Sequence, residues 1–183
     1  MCASTLTSRA WASAPERAGD VGSLDIELLR RARTLGHTTE RERAVAHFSA
    51  LGQHAALWLA LGSTASLLAP AERRRRWRVG TATVAGAYVL NTALKFAVQR
   101  PRPELPGLPP LVRTPTQLSF PSAHATTSFA AARAYSWAGA PRAPLYALAA
   151  SLAASRLYLG VHYPSDVVAG ALLGSALGAL AAR

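Results

Sequence analysis

From Val167 to Ala182 the chain carries no charged side chain, and residues 44–71 carry none either. A soluble helical bundle needs charged outer faces, and runs of this kind have none. Within the second run, residues 51–69 (LGQHAALWLALGSTASLLA) are numerous enough to cross an apolar layer of about 30 Å as a helix. The expected fold is therefore all-α: an integral-membrane helical bundle of about five transmembrane helices, preceded by an amphipathic N-terminal helix. Such a chain would be a multi-pass protein of the cell membrane, with the bilayer as its partner.

Boundaries follow from breakers and charge. Residues 1–20 read as a mobile tail, and residues 21–183 as a single domain. From Val21 to Arg33, Leu24, Ile26, Leu28 and Leu29 alternate with acids and arginines, which predicts a short amphipathic helix. The first spanning helix is expected over 51–69, ended by Pro70 and a basic loop, Arg73–Arg76 plus Arg78. The second runs from about Val79 to Val98. Residues 99–121 hold seven prolines and must form a loop. The third helix starts at Pro121-Ser122 and reaches about Gly139, the fourth spans about Leu145–Val161, and the fifth opens at Pro164.

Composition narrows the partners. The net charge of +11 suits nucleic acid, anionic lipid or a phosphorylated substrate. The arginines cluster before residue 44 and at 73–78 without interleaved aromatics, so no nucleic-acid partner is expected and membrane-flanking charge is the better reading. The mean hydropathy of +0.14 averages a polar first 43 residues with an apolar remainder. Cys2, the single cysteine, has no internal disulfide partner.

Three polar clusters interrupt the apolar sequence between residues 95 and 166. Lys95 is the only lysine in a chain that otherwise uses arginine, which suggests a position wanting a compact ammonium. Arg102-Pro103 follows seven residues on, but Arg100-Pro101 is a second Arg-Pro pair, and spacing alone does not choose between them. Pro121-Ser122-Ala123-His124 opens a helix, where free backbone N–H groups attract anions. Arg156 lies inside an uncharged run, where a charge is expensive and usually functional. His162 precedes a first-turn proline, and Asp166 is the only carboxylate after Glu104, four residues from that histidine. Three cations, two histidines, a serine and one carboxylate suit metal-free phosphoryl transfer; no His/Cys/carboxylate cluster has metal-ligand spacing.

Taken together, Lys-x6-Arg-Pro, Pro-Ser-Ala-His and Ser-Arg-x5-His-x3-Asp resemble the three-part signature of the type 2 phosphatidic acid phosphatase (PAP2) superfamily, over roughly residues 45–183. The resemblance selects Arg102 over Arg100. It implies a lipid phosphatase without metal or cofactor. His162 would be the nucleophile, forming a phosphohistidine, Asp166 its orienting group and His124 the general acid. Lys95, Arg102, Ser122, Ala123 (through its amide) and Arg156 would hold the phosphoryl oxygens. Ala123 departs from the glycine many members carry, and members often have six helices rather than five.

The stretch FSALGQHAALWLALG is similar to that of actinobacterial decaprenylphosphoryl-5-phosphoribose phosphatases. This similarity implies a lipid-linked phosphate substrate and hydrolysis of the phosphomonoester to decaprenylphosphoryl ribose, for cell-wall arabinan precursors. The proline-rich loop, with Arg113 and Gln117, would then form the head-group wall. Undecaprenyl pyrophosphate or phosphatidylglycerophosphate phosphatase activity is the alternative. A non-catalytic lipid-binding scaffold is the reading from another class, opposed by the intact set of polar residues. The basic loop at 73–78 prefers the cytoplasm, which would turn the site to the outer, periplasmic side. Gly170, Gly174 and Gly178 line one helix face, for packing within the monomer or for a homo-oligomer.

Overall fold

The computed structural model describes residues 20–181, and among these the chain forms seven α-helices. They are α1 (Asp20–Thr34), α2 (Thr39–Ala50), α3 (Ala56–Leu68), α4 (Ala71–Val98), α5 (Ala123–Trp137), α6 (Arg142–Tyr158) and α7 (Pro164–Leu180). A single 3-10 turn, Gln53–Ala55, joins α2 to α3. Apart from Asp20, which begins α1, the expected mobile tail lies outside the described residues.

Helix α5 is the centre of the bundle. Alanines dominate it, and Ala125, Ala130, Ala131, Ala132 and Ala134 are fully buried, so α4, α6 and α7 can approach its backbone. The large side chains stand along its later turns, away from His124. Trp58 of α3 donates its indole N–H to Ser128 Oγ at 2.8 Å, and Tyr135 donates its hydroxyl to the Trp58 carbonyl at 2.7 Å. Both aromatic rings thus bury apolar area while their polar atoms stay paired. Helix α7 meets α5 through glycine. A Cβ on Gly174 would lie 2.1 Å from the Thr126 carbonyl oxygen, and one on Gly170 2.7 Å from that of Ser122. The glycine face is thereby filled from within the chain.

Two expected boundaries are corrected. The uncharged stretch 51–69 is not one helix: α2 ends at Ala50, the chain turns through residues 51–55, and α3 has only 13 residues. The cause is tertiary, because Gly52 lies against the His124 ring, where a Cβ would be 2.7 Å from Cδ2. Nor are Arg73–Arg76 and Arg78 a loop. Arginine is a good helix former, and α4 begins at Ala71 directly after Pro70 and runs through them for 28 residues.

No helix among the described residues is both long and apolar enough to cross a membrane. A hydrocarbon core of about 30 Å takes about 20 residues, whereas α3, α5, α6 and α7 have 13, 15, 17 and 17. Helix α4 has the length but opens with its arginines. Helices α3 to α7 nevertheless correspond one to one with the five expected after the amphipathic start. That first helix buries Asp25, Leu29 and Arg33, while Leu24, Ile26 and Leu28 are exposed alongside Glu27 and Arg31.

Candidate active site

The three sequence clusters meet at one cavity of about 110 Å³, lined by Lys95, Arg102, Ala123, His124, Arg156 and His162 among others. They reach it from α4, the loop after it, α5, α6 and the turn before α7. Lys95 projects from the last turn of α4 and donates its ammonium to the carbonyls of Leu118 and Ser119, both at 3.1 Å. Those carbonyls belong to the loop 99–122, folded back so that Arg102 N–H donates to Gln117 O at 3.1 Å and Ser119 N–H to Arg100 O at 2.8 Å.

Arg102 is fixed along its length. Its Nε donates to Thr116 O at 2.8 Å, its Nη1 to Val161 O, and the same Nη1 lies 3.3 Å from His162 Nε2. Burial pulls the Arg102 pKa down to about 10, still protonated at neutral pH. His162 is 2% exposed. Burial first, and then the charges of Arg102, Arg156 and Lys95, hold its imidazole well below the usual histidine range, so it stands neutral with a lone pair available.

The two Arg-Pro arginines do different things. Arg102 lines the cavity, whereas Arg100 stands behind Asp166, donating to Asp166 Oδ1 at 2.8 Å, to Ser165 Oγ at 2.7 Å and to Asp25 Oδ2 at 3.0 Å. Its guanidinium also stacks 4.0 Å over the Tyr163 ring. The other Asp166 oxygen accepts from the Tyr163 N–H at 2.9 Å and sits 3.5 Å from His162 Nδ1. Asp166 is therefore aimed by Arg100 and by its own helix start, and it faces His162 across a distance slightly longer than a hydrogen bond. Asp25 binds the backbone N–H and hydroxyl of Ser165, which locks α1 onto the start of α7.

His124 points its Nε2 at the carbonyl of Ser49, 2.9 Å away. A carbonyl only accepts, so that nitrogen carries a proton and Nδ1 is the ring nitrogen left for another partner. The Ser49 hydroxyl accepts from Arg156 Nη1 at 2.7 Å and pairs with Ser155 Oγ at 3.0 Å. One residue of α2 thus holds both the histidine and the arginine. Ser122 is buried, and its Oγ has no partner among the described residues; the same holds for Arg156 Nε and His162 Nδ1.

Asp25, Ser49, Gln53, His54 and the role of Arg100 were not foreseen from sequence. Gln53 and His54 line the cavity, and with Ser49 they fall inside FSALGQHAALWLALG, which was the available signal. Arg113 and Gln117 do not line it. They border a separate depression of about 570 Å³ on the far side of Arg102.

The sequence pattern of the PAP2 superfamily matches residues 75–183, which include every one of the three clusters. The chain belongs to the PAP2 superfamily. This PAP2 chain is 42% identical over 138 residues to the decaprenylphosphoryl-5-phosphoribose phosphatase of Mycobacterium tuberculosis, covering 75% of each. Its fold is similar to the crystal structure of Aquifex aeolicus LpxE, with a TM-score of 0.74, 26% identity, and coverage of 86% of this chain and 94% of that one. It is also similar in fold to a transmembrane PAP2 type phosphatidylglycerolphosphate phosphatase from Bacillus subtilis, at TM-score 0.72, 21% identity and coverage of 90% and 86%. The superfamily match begins after α3. Asp25, Ser49, Gln53 and His54 therefore reach the PAP2 site from outside the matched region.

Proposed function

We propose that this chain is a membrane lipid phosphatase that hydrolyses decaprenylphosphoryl-5-phosphoribose to decaprenylphosphoryl ribose and phosphate. The observation that carries the reading is the convergence of Lys95, Arg102 and Arg156 with two histidines on one small cavity. Three cations match a dianionic phosphoryl group whose charge spreads over its equatorial oxygens in the transition state. The buried, unpartnered Ser122 Oγ and Arg156 Nε add donors suited to the same oxygens.

In the proposed reaction, His162 Nε2 attacks phosphorus in line, forming an N–P bond as the bond to the ester oxygen breaks. His124, protonated on Nδ1 beside the bound dianion while its Nε2–H stays on the Ser49 carbonyl, gives that Nδ1 proton to the departing oxygen. Water then attacks the phosphohistidine, His124 takes its proton, and phosphate leaves with His162 restored. Asp166, steadied by Arg100, favours the imidazolium character that develops on His162 during attack. Arg102, 3.3 Å from Nε2, keeps that nitrogen unprotonated beforehand and binds the incoming anion.

A lipid substrate fits the surroundings of the cavity. Tyr88, Thr92 and Phe96 carry its rim along α4, next to Val89, which is exposed on the same helix. Exposed Leu67, Leu68 and Leu172 continue an apolar exterior, and the outward leucines of α1 suit an interfacial position. An outward orientation is supported by α4, whose arginine run and Lys95 lie toward opposite ends, with Arg73 about 33 Å from Lys95 at helical rise. With the basic end in the cytoplasm the site opens on the outer face.

The test is phosphate release by the purified chain from a panel of lipid phosphates, with His162→Ala as the control. Decaprenylphosphoryl-5-phosphoribose should exceed phosphatidic acid, undecaprenyl pyrophosphate and phosphatidylglycerophosphate. Preference for either of the last two would overturn the substrate, and full activity in His162→Ala would overturn the mechanism.

A further inference from the structure

The groups assigned to phosphate and proton transfer occupy only part of the cavity. The remaining wall is Gln53 and His54 of the 3-10 turn, Tyr88, Thr92 and Phe96 of α4, and Pro115 and Thr116 of the proline-rich loop. The turn has an unusual backbone: His54 and Ala55 stand in the left-handed region at φ 51° and 58°, though neither is glycine. Each such residue costs about 1 kcal/mol or more and persists only where its surroundings enforce it. Here the enforcement is visible. Gly52 packs directly on the His124 ring, and His54 Nδ1 pairs with the Tyr88 hydroxyl at 2.7 Å, bridging the turn to α4. The turn is thus built against His124.

In an in-line displacement the acid sits beside the leaving oxygen, opposite the attacking nitrogen. Whatever the leaving oxygen carries must emerge past the turn that Gly52 packs on His124, and that turn puts Gln53 and His54 on the cavity wall. Their chemistry names the moiety. The Gln53 amide both donates and accepts, the Tyr88 and Thr92 hydroxyls add neutral polar atoms, and the Tyr88 and Phe96 rings offer flat apolar faces. A second phosphate directly on the leaving oxygen would need further cations beside it, and the lysine and arginines among the lining residues are only Lys95, Arg102 and Arg156. Neutral hydrogen-bonding groups beside aromatic faces suit the hydroxyls and C–H surface of a sugar ring.

We infer that Gln53, His54 and Tyr88 form a subsite for a sugar attached to the leaving oxygen, resting on the roles proposed for His162 and His124. This subsite deepens the proposed reaction and replaces the loop wall of Arg113 and Gln117 as the place where the head group is read.

The experiment measures binding of D-ribose 5-phosphate and of inorganic phosphate to the purified full chain by NMR titration, independently of turnover. Wild type should bind the sugar phosphate at least tenfold more tightly than phosphate. Gln53→Ala and His54→Gly should each reduce that ratio by roughly fivefold to tenfold, the worth of one good hydrogen bond; glycine adopts the left-handed backbone freely, so the second variant keeps the turn. Arg113→Ala and Gln117→Ala should leave the ratio where it is. A ratio near one in wild type, parallel weakening of both ligands in the turn variants, or loss of the ratio in the Arg113 or Gln117 variants would each overturn the subsite. Preferential sugar-phosphate binding by a chain that releases phosphate from no lipid would instead overturn the proposed reaction while leaving the subsite standing.

Discussion

Gly174→Ala and Gly86→Ala make the same chemical change in two helices and should have opposite effects. At Gly174 the added methyl would lie 2.1 Å from the Thr126 carbonyl oxygen and 2.9 Å from the Ala130 nitrogen. Both obstacles are α5 backbone, which cannot swing aside as a side chain would. Restoring ordinary contact means parting α5 from α7 by roughly 1 Å, enough to forfeit a large share of the dispersion energy along their seam. Overpacking of this kind costs about 1–3 kcal/mol, and a rigid backbone obstacle puts Gly174→Ala at the upper end. Helix propensity returns about 1 kcal/mol, for a net loss of about 2 kcal/mol. At Gly86, mid-α4, nothing lies within 4 Å of the new methyl, so only the propensity gain of up to about 1 kcal/mol remains. Unfolding midpoints in one detergent, for both variants beside wild type, should thus separate by about 3 kcal/mol, with wild type between them. Gly174→Ala should also slow turnover, because His124 and Asp166 ride on the two helices being parted. A Gly174→Ala chain as stable as wild type would refute the close approach of α5 and α7.

Three further outcomes are expected. Ser49→Ala removes the acceptor of Arg156 Nη1 and leaves a buried N–H unpaired; unfolding should show a loss of about 1–3 kcal/mol and KM for the lipid phosphate should rise, while kcat changes less because the Ser49 carbonyl still holds His124. Arg100→Lys cannot span Asp25, Ser165 and Asp166 together; kcat should drop at least tenfold with KM near wild type, and an unchanged kcat would remove Arg100 from the aiming of Asp166. The His162 imidazole, held low by burial and three neighbouring cations, should remain neutral in the free protein at pH 5.5 when its Cε1 resonance is followed by NMR, and a midpoint near 6.5 would contradict that environment.

Some of this architecture was legible in the sequence because it is local. Pro164 before an uncharged run marks the start of α7, and seven prolines in 99–121 leave no room for a helix. Lys95, His124, Arg156, His162 and Asp166 stood out because polar groups are conspicuous against apolar surroundings, whereas Arg102 was picked out by the family signature. Other features depend on contacts that no window of sequence contains. The break between α2 and α3 exists because Gly52 meets His124, some seventy residues away, so residues 44–71 looked continuous. The two Arg-Pro pairs were locally equivalent; the family signature chose Arg102, and the partners of Arg100 at positions 25, 165 and 166 show what the other arginine does. Ser49 acts through one hydroxyl and one carbonyl, and nothing in its own neighbourhood announces either. Arg73–Arg78 read as a loop by charge, although their helix propensity was favourable throughout.

The carboxylates on either side of Arg100 also bear on the order in which the chain is made. Asp25 precedes Arg100 by 75 residues, and Asp166 follows it by 66. When the arginine leaves the ribosome, a carboxylate for it has already been synthesised, and the second arrives only with the start of the last helix. The guanidinium therefore has a counter-ion within the nascent chain from its first moment. A chain stopped before Ser165 keeps that early pair but lacks the carboxylate that faces His162, a stage at which Arg100 is already paired and the site is still incomplete.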